Sequence, residues 1–252
     1  MAIQSSTTGG LRELALFAGA GGGILGGLLL GWRTVCAVER DAYCAAVLAQ
    51  RQDDGILAPF PIWSDVETFD GREWRGLVDV VSGGFPCQDI SCAGQGKGLN
   101  GERSGLWTHM ARVVREVQPR YVFVENSPAI TTRGLGRVLG DLAAAGFDAD
   151  WDVLGTKDTG GECWGERMWI VATPNKDNGN PRMGPVQRAR RKQILRTCKG
   201  QCEERTIQLR VEMSPRAARM DTQVAWQMER VASIGNGQDP YLAATAWRIL
   251  NE

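Results

Sequence analysis

Short apolar runs, each stopped by glycine, proline or charge, recur along the first three quarters of the chain. Leu14 to Phe17 has strand length and meets a glycine cluster, Gly19, Gly21, Gly22 and Gly23. Thr34 to Val38 repeats the pattern and ends on Glu39, and a helical stretch from Tyr43 to Gln50 follows. Val78 to Val81 predicts a third strand, stopped by Gly83-Gly84-Phe85-Pro86. Across 104–117, apolar residues at Leu106, Met110, Val113, Val114 and Val117 keep helical spacing. Tyr121 to Val124 predicts a fourth strand and Met168 to Ala172 a later one. Helical spacing returns near Trp226, and Tyr241 to Leu250 predicts a closing helix.

Strands alternating with helices imply an α/β fold, an open, doubly wound and mostly parallel sheet. Ligands of such sheets bind outside the carboxyl ends of the strands. Four of the predicted strands lead into chemically suggestive groups: the glycine cluster, Glu39, Pro86-Cys87 and Glu125-Asn126. The fold would set all four along one rim, which points to a single active site.

Composition changes this picture little. The 252 residues suffice for one α/β domain and a small appendage, and 43% hydrophobic with 23% charged residues is ordinary for a soluble domain. No apolar run approaches the roughly 18 residues of a membrane span. Met1 to Gly10 is polar and lacks a signal-peptide core. Seven cysteines, an odd number without a paired framework, predict a reducing cytosol and no disulfides. Cys198 and Cys202 have the spacing of half a metal site, but such a site wants about four ligands and the lone His109 is distant in sequence, so no metal is expected.

Charge matters more. The chain is neutral overall, yet residues 175–219 carry twelve basic and four acidic side chains, a surplus of eight. Such a block is either a solvated face or an electrostatic footprint for phosphate. It marks off a small basic lobe, giving boundaries of 1–174 for the catalytic domain, 175–215 for the lobe and 216–252 for a return to the catalytic domain.

The glycine run does not match the dinucleotide fingerprint, because Ile24 stands where the third glycine belongs. With Glu39 placed to accept hydrogen bonds from ribose hydroxyls, it suggests an adenosine-type ligand, and a structural glycine turn is the alternative. In Gly84-Phe85-Pro86-Cys87-Gln88-Asp89-Ile90-Ser91 the proline fixes the direction of a thiol at a strand end. A buried inert cysteine is the competing reading; the glycine-rich stretch Gly94 to Gly101, suited to closing over a substrate, favours the reactive one. Glu125 directly follows an apolar strand, where a carboxylate is costly without partners, and so reads as functional. His109 reads as a surface residue, and most of the nine tryptophans as packing.

Phe17-Ala-Gly-Ala-Gly-Gly, Gly84-Phe-Pro-Cys87-Gln, Val124-Glu125-Asn126, Arg167 before a strand and Gly235-Asn236 occur in the order of the cytosine-5 DNA methyltransferase family. The chain resembles the compact forms carried by bacteria and phages, over nearly everything except 175 to about 215. The resemblance implies a Rossmann-like methyltransferase fold, the cofactor S-adenosylmethionine and double-stranded DNA as partner. It also fits a monomer in a bacterial or phage-infected cytosol, with a cognate restriction nuclease as a further partner in some systems. Carried over, Phe17 packs on the adenine, Glu39 binds the ribose, Asp65 contacts the adenine amino group, and Gly19, Gly21 and Asn236 belong to the cofactor site. Cys87 attacks carbon 6 of a flipped cytosine, Glu125 hydrogen-bonds its ring nitrogen and amino group, and Arg167 holds its carbonyl oxygen. Gln88, Ser91 and Asn126 belong to the substrate loop.

The sequence also departs from the family. Cys163 and Gly165 stand where the element ending in Arg167 has a polar residue and a first arginine. Ala15 replaces a common aspartate, and Asp239 a common valine. Two competing expectations follow: the same chemistry on transfer RNA, or an impaired homologue that binds cofactor or DNA as a regulator.

Overall fold

The runs read as strands are apolar on both faces because each lies inside a sheet covered on both sides. The computed structural model describes residues 10–86, 105–159, 165–175, 183–185 and 238–251. Eight strands form one sheet: β1 (Arg12–Leu16), β2 (Arg33–Val38), β3 (Ile62–Trp63), β4 (Val80–Gly84), β5 (Tyr121–Asn126), β6 (Phe147–Gly155), β7 (Glu166–Pro174) and β8 (Met183–Pro185). Their order is β3-β2-β1-β4-β5-β7-β6-β8. The first five in that order pair in parallel, whereas β7 runs antiparallel to both β5 and β6. The doubly wound, mostly parallel α/β sheet expected from the chain pattern is therefore present.

The helices are α1 (Gly22–Leu29), α2 (Ala42–Asp53), α3 (Leu106–Val117), the single turn α4 (Ile130–Arg133), α5 (Leu135–Ala144) and α6 (Pro240–Asn251). On one side Leu14, Leu16, Val81, Val122 and Val124 pack with Met110, Val113, Val114 and Val117 of α3 and with Val138 and Leu142 of α5. On the other, Val80, Phe123, Trp169 and Val171 pack under Leu242, Ala246, Trp247 and Ile249 of α6. Ala15 and Ala37 meet Ile24 and Leu25 of α1 and Leu48 of α2. Trp32, Phe123 and Trp247 meet edge to face, and Phe123 stacks on Trp169 at 5.2 Å. These tryptophans are core, as expected.

Helix α6 packs on α1, β6 and β7, so the end of the sequence covers the beginning of the fold. Strand β8 pairs in parallel with β6 at the sheet edge. It lies beyond the boundary set at residue 174, so the sheet takes up part of the stretch assigned to the basic lobe. Apart from Asn175, the rest of that lobe lies outside the described residues. Among the described residues, no helix is long and apolar enough to cross a membrane.

Candidate active site

Because β2, β1, β4 and β5 are adjacent and parallel, their carboxyl ends form one edge. A cleft opens there, lined by the backbone from Ala15 to Ala20, the start of α1 at Gly22, Gly23 and Ile24, Ser82 to Gly84, Glu125 and Gln238. Phe17, Gly19 and Glu125, singled out from sequence, meet in it.

The turn after β1 is built from left-handed backbone. Phe17 has φ 52°, Gly19 φ 54° and Gly21 φ 87°. The glycines adopt this at no steric cost, but a bulky aromatic does not, and such strain concentrates at functional sites. Glu39 holds the turn: its carboxylate accepts a 2.6 Å hydrogen bond from the Gly19 amide and a 2.7 Å bond from that of Asp41. Each carboxylate oxygen retains a lone pair for a further donor. A Cβ on Gly19 would meet nothing within 4 Å, so open space stands over the turn. Gly21 instead faces α2, where a Cβ would lie 2.7 Å from Leu48. It is the residue that caps α1.

Glu125 and Arg167 are brought together by the antiparallel β5–β7 pair, in which Glu125 lies opposite Trp169. Arg167 Nε lies 3.0 Å from Glu125 Oε1. Burial pushes the Glu125 carboxyl up to about 7, offset in part by the Arg167 charge and a hydrogen bond from Gln238. A carboxyl poised there can be a proton donor or a hydrogen-bond acceptor near neutral pH.

Asn126 works on the neighbouring strand end. Its amide donates to the Phe85 carbonyl at 3.1 Å, and its oxygen accepts from the Ser127 amide at 2.8 Å. Phe85 is buried with its ring 5.3 Å from Trp107. Backbone and ring are thus both anchored one residue before Pro86, the last described residue before Cys87. Asn126→Ala leaves that buried carbonyl without its partner and is expected to cost about 1–3 kcal/mol, measured by urea unfolding.

Asp65 follows β3 and is half-buried, but it does not line the cleft; its carboxylate caps the next turn through the Glu67 amide at 2.9 Å. Arg112 fixes that turn by donating to the carbonyls of Val66 and Phe69 at 2.7 and 2.9 Å. Cys87, Gln88, Ser91 and Asn236 lie outside the described residues. So does Cys163, whereas Gly165 accepts from the Thr156 amide through its carbonyl. Among the described residues, no cluster of His, Cys, Asp and Glu could hold a metal.

Two features escaped sequence reasoning. Gln238 lines the cleft beside Gly22 and Gly23, although the sequence reading of its stretch rests on Gly235, Asn236 and Asp239. Behind the cleft, Glu13 is buried and accepts from Ser82 Oγ at 2.7 Å and Thr34 Oγ1 at 2.8 Å, while burial raises its pKa. Glu13 shares a strand face with Ala15, so a carboxyl stands two residues from the place where the family commonly has aspartate.

The model of the family described as C-5 cytosine-specific DNA methylase matches residues 11–231, and the chain belongs to that family. The Type II methyltransferase M.PspPI of Psychrobacter sp. is 34% identical over 155 residues, covering 61% of this chain and 36% of the relative. M.Eco47II of Escherichia coli is 35% identical over 126 residues, covering 50% and 29%. The chain thus matches about a third of the length of these relatives. Among solved structures, a Spodoptera frugiperda DNMT2 mutant superposes with TM-score 0.56 at 15% identity, over 71% of this chain and 55% of that one. Dnmt2 methyltransferase of S. pombe gives 0.51 at 16% identity, over 68% and 51%. At these identities the likeness is one of fold.

Proposed function

We propose that this chain transfers a methyl group from S-adenosylmethionine to carbon 5 of cytosine in DNA, through a covalent adduct between Cys87 and a flipped-out base. The observation that carries the reading is the Glu125–Arg167 pair, with its carboxyl at about 7, beside the strand whose end leads through Pro86 to Cys87.

The residues present fit the cofactor. Open space stands over a glycine turn, Phe17 lines the cleft beside it, and Glu39 has acceptor capacity there. Phe17 would pack on the adenine and Glu39 would receive the ribose hydroxyls. Gly19 and Asn236 would border the site, and Asp65 would approach the adenine amino group from the adjacent strand. When bound, the cofactor supplies an electrophilic methyl group.

The remaining work falls to side chains of this chain. As a thiolate, Cys87 adds to carbon 6, and ring electrons move toward ring nitrogen 3 and the carbonyl. Glu125, in its acid form, donates to that nitrogen and accepts from the amino group, so charge does not accumulate on the ring. Arg167 donates to the carbonyl oxygen while keeping Glu125 oriented; its five donors allow both. Carbon 5 takes the methyl and gives its proton to a solvent water; the electrons of that bond re-form the 5,6 double bond and expel Cys87 as a thiolate, and the ring nitrogen returns its proton to Glu125. Asn126 positions the backbone that presents the thiol, and Gln88 and Ser91 belong to the loop closing over the base. The base must leave the stack because the duplex hides the face attacked. The basic lobe, residues 175–215, would grip phosphates and read the site.

The test is expression of the wild type and Cys87→Ala in a host without cytosine-5 methylation, followed by bisulfite sequencing. Cytosines protected in one recurring context, with wild type only, are expected. Unprotected DNA, in cells whose purified protein still binds S-adenosylmethionine, overturns DNA as the substrate.

A further inference from the structure

Three glycines converge on one residue from far along the sequence, Gly22 on its backbone and Gly23 and Gly84 on its side chain. The Gln238 carbonyl oxygen lies 2.0 Å from where a Cβ on Gly22 would stand, and its side-chain oxygen 2.3 Å from that of Gly23. A Cβ on Gly84 would lie 2.8 Å from Gln238 Nε2 and 2.5 Å from Glu125 Oε2. Gln238 Nε2 itself donates to Glu125 Oε2 at 3.4 Å, while Arg167 holds the other oxygen at 3.0 Å.

We propose that Gln238 is a positioning residue for Glu125, holding one carboxylate oxygen while Arg167 holds the other. Gly23 and Gly84 lack side chains where that contact passes, and Gly22 lacks one where the Gln238 backbone passes. The inference deepens the reading of Glu125 as the partner of the cytosine ring nitrogen. A carboxyl held through one oxygen can rotate; held through both, it keeps one edge toward the base. An amide suits the task because it carries donor and acceptor together. Its N–H groups serve the carboxylate, and with the amide turned over its oxygen accepts from the acid, so the contact survives protonation. Lysine or arginine would fix only the charged form. Because Gln238 also lines the cleft, it links the space over the glycine turn to the carboxyl. Among the described residues, the charged group facing Glu125 is Arg167.

Two variants break the contact in different ways. Gln238→Met keeps length and volume but not the hydrogen bond, and Gly23→Ala sets a methyl against the Gln238 side-chain oxygen. The Glu125 carboxyl would be followed by carbon-13 NMR through a pH titration of the whole chain without DNA, assigned with Glu125→Gln. Loss of the donor disfavours the carboxylate, so both variants are expected to move the midpoint upward by roughly half a pH unit. The basic limb of kcat should move with it, and the limiting kcat should fall roughly tenfold as the carboxyl gains rotation. Unchanged midpoints in both variants, with melting curves showing folded protein, overturn the proposal. The titration is read without substrate, so a failure of the methyl-transfer reading leaves it standing and is separately visible.

Discussion

Glu125→Gln is expected to melt at a higher temperature than the wild type above neutral pH, while losing methyl transfer by about a hundredfold or more. The two effects share one cause. The folded carboxyl sits at about 7 against an ordinary glutamate value of 4.5, so the native state binds its proton more tightly than the unfolded chain does. Between those values the native state carries the extra proton, and stability falls as pH rises through the window. Above it the full cost of charging a buried carboxyl is present, roughly 3 kcal/mol. Glutamine has no charge to bury, so the gain should be absent below about pH 4.5 and complete above about pH 7. Calorimetry at pH 5 and pH 8 checks this, and an equal gain at both would rule out the buried-carboxyl account. The lost activity follows because an amide has no acid proton to share with the ring nitrogen.

Trp169→Ala is expected to lower stability by about 3–5 kcal/mol, the usual cost of emptying the volume of a large aromatic. Trp169 is fully buried, stacks on Phe123 and lies opposite Glu125 in the β5–β7 register. In a chain of this size that corresponds to a melting temperature lower by roughly ten degrees. Trp169→Phe should cost far less. It keeps a ring on Phe123 and removes a buried indole N–H that has no partner among the described residues. Thermal melts of the two variants side by side separate volume from polarity. If both fall equally, the stack is not the stabilising contact.

The catalytic edge was legible in the sequence because strand ends are marked by abrupt changes of chemistry. Glu39, Glu125 and the Pro86-Cys87 pair each interrupt an apolar run, and parallel pairing brings such interruptions side by side. Strand β6 was missed although Phe147, Ala149, Trp151 and Val153 alternate with Asp148, Asp150 and Asp152. Aspartate has low strand propensity, and here the alternation outweighs it. Strand β3, only two residues long, has no period to read. Helix α1 holds four glycines in eight residues, a composition that opposes helix. Tertiary packing decides it: a Cβ on Gly26 would meet Ala243, and one on Gly27 would meet Trp32 and Glu13. The glycines that suggest a ligand turn thus divide by role. Gly19 borders open space, whereas Gly22 and Gly23 make room for Gln238. No single-sequence pattern distinguishes those uses, because the second partner lies more than two hundred residues away.

The union of α1 with α6 has a consequence for how the activity could be divided. A fragment ending before residue 238 carries the glycine turn and Glu125 but leaves the Gly26 side of α1 and the sheet face of Val80, Phe123 and Trp169 uncovered, and the second carboxylate oxygen unheld. The missing piece carries the apolar face that covers α1 and the amide that completes the contact. Cutting between them therefore yields two halves whose reunion is favoured by the same burial that closes the intact fold, a natural seam for making the activity conditional on two fragments meeting.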